Sequence, residues 1–311
     1  MAVSTGVAIA AWGLAHSGSA PAGDCPQPSA EIVEVAHGVY VRQGQHGIPF
    51  VDRNFANAGF IVGRDCVAVI DSGGALDEGK ALGCAVAKVT DVPVCYVVVS
   101  HHHFDHALGN LAFKSPSVQI VGHDNLERSL MASADYYLSR LSEAAGETLS
   151  RNLIVPPTRT VSIGEPLELD LGGRVLSVTA HSPAHSDNDL SVLDRQTNTL
   201  WLSDLLFVEH IPSLDGSVLG WLEIMARLKQ QPAARAIPGH GPVTVTWPDA
   251  MIPQERYFSV LRDEARALIE AGGDLSAATE TIGQSEQPHW LMFDLHHKRN
   301  VTKVYTELEW E

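Results

Sequence analysis

The most informative stretch of the sequence is Val94-Cys95-Tyr96-Val97-Val98-Val99-Ser100-His101-His102-His103-Phe104-Asp105-His106, in which a short apolar segment precedes four histidines and an aspartate. The β-branched first half predicts a buried strand, with the histidines on the turn at its end. The turn has the spacing H-x-H-x-D-H, and imidazole and carboxylate groups are zinc ligands. A solvated His-rich turn or a tag remnant is the alternative, but a tag would lie at a terminus and would lack the interleaved Asp105.

Four further segments place a histidine or an aspartate at the end of, or within a turn after, an apolar stretch. They are Val67-Ala68-Val69-Ile70-Asp71-Ser72-Gly73, Ser182-Pro183-Ala184-His185-Ser186, Trp201-Leu202-Ser203-Asp204-Leu205-Leu206-Phe207 and Ile237-Pro238-Gly239-His240-Gly241-Pro242. Taken in their order along the chain, the five segments resemble the motifs of the metallo-β-lactamase-fold hydrolases. The resemblance implies an α/β fold, the αββα four-layer sandwich of that family, and alternating strand and helix patterns along the chain agree with it.

The resemblance also implies two sets of zinc ligands. A first zinc would be held by His101, His103 and His185, a second by Asp105, His106 and His240, and Asp204 would bridge the two ions. Asp71 would lie beneath the site and accept hydrogen bonds from the metal-binding loop. His181 has the same chemistry as His185, but His185 lies in the Pro-Ala-His-Ser turn that matches the motif. His123 is expected to be a packed or capping histidine.

The expected chemistry is hydrolysis. Three protein ligands leave a zinc ion with an open position for water, which is typical of catalytic sites. Two divalent ions about 3.5–4 Å apart can share a hydroxide, and zinc lowers the pKa of bound water to about 7. This hydroxide would attack an ester, thioester, lactone or amide carbonyl, with Asp105 as the ligand that also orients it. The sequence contains no G-x-S-x-G segment that would supply a serine nucleophile.

Other activities of the same fold stay open. A β-lactamase is disfavoured, because Phe207 stands where the Cys-containing subclass places a lysine. Hydroxyacylglutathione hydrolases resemble this chain in the bridging aspartate and the apolar run after it. They bind glutathione through basic residues near the carboxyl end, where this chain has His297-Lys298-Arg299-Asn300, although a solvated helix face would also explain that cluster. A mononuclear iron sulfur dioxygenase is the alternative from another class, and the complete ligand set argues against it.

A narrower resemblance concerns the exported zinc metallohydrolases of quinoprotein relay systems. It depends on Asn57-Ala58-Gly59-Phe60, on Ala184-His185-Ser186-Asp187-Asn188-Asp189 and on the ending from His297 to Glu311. The resemblance implies a periplasmic location and a functional link to quinoprotein dehydrogenases. It implies no particular substrate.

Composition limits the classes of partner. The chain has 311 residues, of which 45% are hydrophobic, so it can bury a full core. It has 37 acidic and 21 basic residues and a formal charge of −16, which argues against nucleic acid or an anionic membrane as a partner and favours a small-molecule substrate. No apolar run reaches the roughly 20 residues that a membrane helix needs.

The amino end predicts export. Residues 1–30 are expected to be a signal-like or flexible segment, and residues 31–311 a metallo-β-lactamase-fold domain with C-terminal helices. The apolar run Val7–Ala15 and the small residues after it favour a mature protein that begins near Pro21, although no Lys or Arg precedes Arg42. The even number of cysteines permits disulfides in a periplasm, whereas Cys66 and Cys95 would equally suit buried thiols.

The remaining patterns predict the surroundings of the metal-binding loop. Residues 43–57 form a polar loop that is expected to fold over the metal site with Phe50 and Phe55 exposed. Residues 125–149 are expected to form one or two inserted helices that wall the active site. Further helices are predicted over residues 76–88, 255–271 and 291–310, from their periodicity and their terminal residues.

Overall fold

The computed structural model describes residues 25–26, 31–45, 47, 49 and 54–311. The predicted signal-like run Val7–Ala15, the small residues after it and the position of Phe50 lie outside the described residues.

The first sheet has its strands side by side in chain order. They are β1 (Val33–Ala36), β2 (Val39–Arg42), β3 (Ala58–Val62), β4 (Val67–Ile70), β5 (Val94–Val98), β6 (Gln119–His123) and β7 (Arg159–Val161). Strands β1 to β4 pair antiparallel, and β4 to β7 pair parallel. Since parallel neighbours need a crossover connection, helices lie between these later strands.

The second sheet has the order β12-β11-β10-β9-β8. Its strands are β8 (Leu167–Asp170), β9 (Val175–Ala180), β10 (Leu190–Asp194), β11 (Thr199–Phe207) and β12 (Arg235–His240). Strands β10 and β11 pair antiparallel as a hairpin, and β11 pairs parallel with β12. Every residue of β11 is buried, so this strand lies in the middle of the molecule.

The α-helices within the described residues are α1 (Leu76–Val89), α2 (Phe104–Ala107), α3 (Leu126–Ala145), α4 (Val218–Leu228), α5 (Ile252–Glu270), α6 (Leu275–Thr281) and α7 (Phe293–Leu308). The helices predicted over residues 76–88, 255–271 and 291–310 are confirmed to within three residues at each end. The inserted segment predicted over residues 125–149 is therefore one long helix, α3, which ends at Gly146 in the left-handed conformation. No helix within the described ranges has the length and apolar character needed to cross a lipid bilayer.

Three layers of buried hydrophobic residues hold the elements together. Val39, Leu176 and Trp201 belong to the layer between the two sheets. A second layer packs α1 and α3 against the outer face of the first sheet, and a third packs α4, α5 and α7 against the outer face of the second. The order of the layers is helix, sheet, sheet, helix, which confirms the predicted αββα sandwich.

The cysteines are paired. Cys25 forms a disulfide with Cys84 of α1, and Cys66 forms one with Cys95 of the neighbouring strand β5. Of the two alternatives that the sequence left open for Cys66 and Cys95, the structure shows the disulfide and not the buried thiols. Each of these residues lies in or beside one of two adjacent parallel strands, so their Cα atoms are 5.7 Å apart, which is a usual separation for a disulfide. Two disulfides are consistent with an extracytoplasmic location.

Candidate active site

The predicted site residues meet at one end of the sandwich. His101 to His106 follow β5, His185 follows β9, and Asp204 and His240 lie in the last halves of the adjacent strands β11 and β12. The seven side chains form two adjoining groups, within each of which the candidate ligand atoms lie within 4.8 Å of one another. The members of the first group are His101, His103, His185 and Asp204, and those of the second are Asp105, His106 and His240.

The nitrogen atoms of the first group point at a common centre. Nε2 of His185 lies 3.1 Å from Nε2 of His101 and 2.9 Å from Nδ1 of His103. Oδ2 of Asp204 lies 3.3 Å from the same His185 atom. Ligands about 2.0–2.1 Å from a tetrahedral zinc ion are separated by distances of this size.

The second group is joined to the first by the Asp204 carboxylate. Nε2 of His106 lies 3.5 Å from Oδ2 of Asp105 and 3.1 Å from Oδ1 of Asp204. Nε2 of His240 lies 3.5 Å from Oδ2 of Asp105 and 3.4 Å from Oδ2 of Asp204. Asp204 therefore faces both groups, as the sequence predicted for a bridging residue.

The outer nitrogen of every histidine in the two groups has a hydrogen-bond partner. The pairs are His101 Nδ1 with Ser100 Oγ at 3.0 Å, His103 Nε2 with Asp215 Oδ2 at 2.8 Å, His185 Nδ1 with the Ser213 carbonyl at 2.8 Å, His106 Nδ1 with Asp71 Oδ2 at 2.8 Å, and His240 Nδ1 with the Phe55 carbonyl at 3.2 Å. If each outer nitrogen carries the proton and donates it, the inward nitrogen is left with a lone pair, which is the form that binds a metal ion.

Two atoms that point into the groups are buried without a hydrogen-bond partner in the described part of the chain. Nε2 of His106 and Oδ1 of Asp204 are buried, and neither has a hydrogen-bond partner among the described residues. Buried polar atoms are rarely left without a partner, and a bound ion is one way to satisfy them. Burial lowers the pKa of His185 to about 3, so its imidazole is neutral and able to act as a ligand. The donor set and its geometry therefore fit a pair of metal ions.

Asp71 holds the metal-binding loop from beneath. Its Oδ1 accepts the Ser100 main-chain N–H at 2.8 Å, and its Oδ2 accepts the hydroxyl groups of Ser100 and Ser203 at 2.9 Å. Asp71 and Ser203 both have φ in the left-handed region, at 56° and 48°. Such backbone strain in residues other than glycine is often found beside active sites, where the surroundings hold it in place.

The two other histidines considered in the sequence lie outside both groups. Nε2 of His181 is 2.8 Å from the Ser191 hydroxyl, and the pKa of His181 is lowered to about 4 by burial. Nδ1 of His123 accepts the main-chain N–H of Asn125, the residue before α3, so its predicted packed or capping role is confirmed.

The groups open into a cleft of about 450 Å³, which we call the active-site cleft. Helix α3 lines it with Tyr136, Tyr137 and Arg140, and α7 lines it with His296 and Arg299. This confirms that the inserted segment forms part of the wall. The expected exposure of Phe55 is wrong: its side chain is only 7% exposed, because its ring packs edge-on against those of His210 and His240.

The cluster His297-Lys298-Arg299-Asn300 has two buried and two exposed side chains. His297 and Asn300 are buried, so a solvated helix face is wrong for them. Asn300 accepts the main-chain N–H of Leu214 at 2.9 Å, and His297 packs on Phe293. Lys298 is exposed and paired with Glu280, whereas Arg299 reaches the cleft.

Asp215 is a functional residue that the sequence analysis did not identify. One carboxylate oxygen faces Nε2 of His103, the other accepts from the Arg299 guanidinium, and Lys303 donates to the Asp215 main-chain carbonyl at 3.1 Å. Burial raises the pKa of the Asp215 carboxyl, but the hydrogen bond from His103 and the charge of Arg299 outweigh it and hold this pKa well below its usual range. Asp215 lies in a Pro-Ser-Leu-Asp-Gly turn without a motif, so only its place beside His103 reveals its role.

Comparison with known proteins agrees with this geometry. Residues 51–240 match the profile of the metallo-beta-lactamase superfamily. A metallo-beta-lactamase from Pontibacter korlensis superposes with a TM-score of 0.60 at 16% identity, over 74% of this chain and 98% of that one. An inverting sec-alkylsulfatase from Pseudomonas sp. superposes with a TM-score of 0.68 at 16% identity, over 90% of this chain and 50% of that one.

A metallo-beta-lactamase from Hirschia baltica superposes with a TM-score of 0.56 at 17% identity, over 74% of this chain and 98% of that one. A search of curated proteins finds no match. At these identities the superpositions show the fold alone, but the matched profile covers more than half of the chain and contains all seven side chains of the two groups. The chain is therefore a metal-dependent hydrolase that belongs to the metallo-beta-lactamase superfamily.

Proposed function

We propose that this protein is a dinuclear zinc hydrolase that cleaves an ester, thioester, lactone or amide bond of a small molecule. His101, His103 and His185 would hold one zinc, Asp105, His106 and His240 the other, and Asp204 would bridge them. The observation that carries the proposal is the Asp204 carboxylate, which faces Nε2 of both His185 and His106 from between the two groups.

The donor set supports zinc. It consists of imidazole nitrogens and carboxylate oxygens, with three protein ligands for each ion besides the bridge, and this composition is typical of catalytic zinc sites. When bound, the two ions supply a water of lowered pKa as the nucleophile and a Lewis acid for the carbonyl oxygen.

The residues of the chain orient these groups. We assign Asp105 the additional role of orienting the attacking water, because its side chain both faces His106 and His240 and lines the active-site cleft. Phe55 and Phe207 pack against the ring of His240 and exclude bulk water from that side. Asp71 and Asp215 keep His106 and His103 in the required orientation.

A thioesterase similar to the hydroxyacylglutathione hydrolases is the second candidate. The observation that favours it is that Arg299 of α7 and Arg140 of α3 both line the cleft. Each guanidinium is paired within the protein, Arg299 with Asp215 and Arg140 with Glu143, so an anionic substrate group would share these cations with the two carboxylates. Phe207 is buried and stacked on His240, so it offers no cation to the carboxylate of a β-lactam.

Metal analysis combined with a substrate panel tests the proposal. Protein produced in zinc-supplemented medium and then reconstituted from the metal-free form should contain close to two zinc ions per chain. It should hydrolyse at least one member of a panel of esters, thioesters, lactones and β-lactams. A single iron per chain together with oxidation of a sulfur substrate would replace this proposal by the dioxygenase alternative.

We further propose that residues 31–311 form one domain with C-terminal helices, and that the protein is exported and functions beside quinoprotein dehydrogenases. Packing of α5 and α7 against the second sheet supports the single domain, and the two disulfides support export. The resemblance to quinoprotein relay hydrolases supports the link. Asn57, one of its residues, donates to the Pro238 carbonyl at 2.8 Å and so holds the turn that carries His240.

Export has a direct test in the native host. The mature protein should begin near Pro21 and should fractionate with the periplasm. An intact amino end recovered from the cytoplasm would contradict this proposal.

A further inference from the structure

A second cavity, of about 250 Å³, lies beside the active-site cleft and takes no part in the proposed metal chemistry. Its walls come from the start of α1, from α2, from the end of α3 and from the segment that follows α3. The lining is predominantly apolar and includes Leu76, Leu108, Leu141, Ala145 and Leu153. Concave apolar cavities of this size are uncommon in proteins and are often ligand sites.

The cavity adjoins the active-site cleft. Phe55, Phe104 and Asp105 line both the cavity and the active-site cleft. Asp105 is a proposed metal ligand, so the cavity begins next to the place where the bond to be cleaved would lie. A substrate group that enters the cavity would therefore remain attached to the reacting carbonyl.

The outer wall of the cavity is held by specific contacts. The main-chain N–H of Leu149 donates to the Ser142 hydroxyl at 2.9 Å, which folds the segment after α3 back along the helix. The Arg151 guanidinium donates to Asp135 of α3 at 3.0 Å, which is a second contact between this segment and the helix. At the end of α3 stand the small side chains Ala144 and Ala145, and they leave the space between this wall and α1 open.

The charges around the cavity determine what can enter it. Its ionisable lining residues are the acids Asp77, Glu78, Asp105 and Glu147. Glu78 is engaged by the Arg42 guanidinium at 3.3 Å. Carboxylates at the border repel an anionic group and offer nothing to hold it, whereas uncharged hydrocarbon would gain from the apolar walls.

We propose that this cavity binds an unbranched aliphatic chain of the substrate, carried either by its acyl part or by its alcohol or thiol part. The proposal rests on the hydrolase function proposed above and adds the substrate class. At roughly 30 Å³ per heavy atom, the cavity accommodates a chain on the order of eight carbon atoms. Each methylene group transferred from water should raise kcat/KM by about fourfold, so activity should rise with chain length and then level off.

Two ester series and two variants test this. One series lengthens the acyl chain of a 4-nitrophenyl ester from two to twelve carbons, and the other lengthens the alcohol chain of an acetate ester. Ala145→Phe adds a ring at a residue of α3 that lines the cavity, and Ala132→Phe adds the same ring at a residue of α3 that lines neither the cavity nor the active-site cleft. In the series whose chain enters the cavity, Ala145→Phe should lower kcat/KM for the eight-carbon member at least tenfold. The shortest ester should change less than twofold, and Ala132→Phe should behave like the parent.

Binding of 1-octanol, measured by calorimetry on the same proteins, separates this proposal from the hydrolase proposal. If no ester is hydrolysed but Ala145→Phe weakens octanol binding at least tenfold, the cavity is a chain site and the hydrolase proposal fails. If esters are hydrolysed with the same chain-length dependence in the parent and in Ala145→Phe, and octanol binding does not change, the chain site is refuted and the hydrolase proposal stands.

Discussion

At the scale of single residues, Asp204 distinguishes two ways of building the metal site. An aspartate at this position could merely cap a turn, and losing a cap costs about 1 kcal/mol. Its carboxylate instead lies between the two groups and is 4% exposed. A negative charge in this position offsets the repulsion between two dications, so it determines whether both ions bind.

Asp204→Asn keeps the shape of the side chain and removes its charge. We expect the variant to stay folded, to retain the zinc at His101, His103 and His185, and to bind the second zinc much more weakly. Because both ions are needed, kcat should fall by orders of magnitude. Elemental analysis, circular dichroism and turnover measurements check this, and two tightly bound zinc ions with near-parental turnover would reduce Asp204 to a structural cap.

His185 and His181 form a matched pair for a second prediction. Both are buried histidines near the end of β9, but only His185 faces His101 and His103. His185→Ala should lower the zinc content and abolish activity, because it removes a ligand of the first ion. His181→Ala should leave the zinc content unchanged and reduce only stability, since it loses the contact with Ser191. Loss of zinc in His181→Ala but not in His185→Ala would show that His181, and not His185, is the ligand.

The difference between what the sequence predicted and what it missed is also clearest at this scale. The seven side chains of the two groups stand in short segments that resemble the motifs of a known family, so the resemblance singled them out as candidate ligands. The surroundings of Asp215 and Phe55, by contrast, are formed by residues that are distant from them in the sequence. The burial of Phe55 depends on the rings of His210 and His240, and the role of Asp215 depends on His103 and Arg299. No local pattern encodes such contacts.

At the scale of elements, α7 is connected to the metal site through a chain of charged contacts. Arg299 donates to Asp215, and Asp215 in turn faces Nε2 of His103. A carboxylate behind a ligating histidine fixes the orientation of the ring and raises its basicity, and its removal typically lowers metal affinity about 10–100-fold. A helix distant in sequence would thereby influence a metal ion held by the first group.

Asp215→Asn should therefore weaken zinc binding at the first site by about 10-fold or more. Arg299→Gln should weaken it by a smaller factor, because the carboxylate remains but is less firmly held. Lys298→Gln is the control, since Lys298 occupies the next position of α7 and pairs with exposed Glu280 instead. Competition with a chromophoric chelator measures all three affinities, and equal affinities would show that α7 does not support the metal site.

At the scale of the whole molecule, both disulfides lie in the first half of the fold. They connect Cys25 with α1 and Cys66 with β5, whereas the second sheet and its helices contain no cysteine among the described residues. Stabilisation of the second half depends on the large hydrophobic layer around Trp221 and Tyr257. The two halves should therefore respond differently to reduction.

Protein isolated under oxidising conditions and unfolded in denaturant should show no titratable thiol, and after reduction it should show all four. Reduction should lower the free energy of unfolding by about 2–5 kcal/mol for each disulfide that contributes fully. Thiol titration and denaturant unfolding followed by tryptophan fluorescence check both statements. Free thiols in the unreduced protein would show that the cysteines are not paired in solution.

The contacts that connect α7 with His103 through Asp215 also affect the order in which the parts of the site can fold. Among the described residues His240 is the last member of the two groups, whereas Arg299 and Lys303, which hold Asp215, lie later in the sequence, in α7. Chains are synthesised and delivered amino end first. The side chains of the two groups can therefore come together before α7 has been synthesised, but His103 is held in place only after α7 has packed. Stable binding of an ion by the first group should therefore require α7 to be in place.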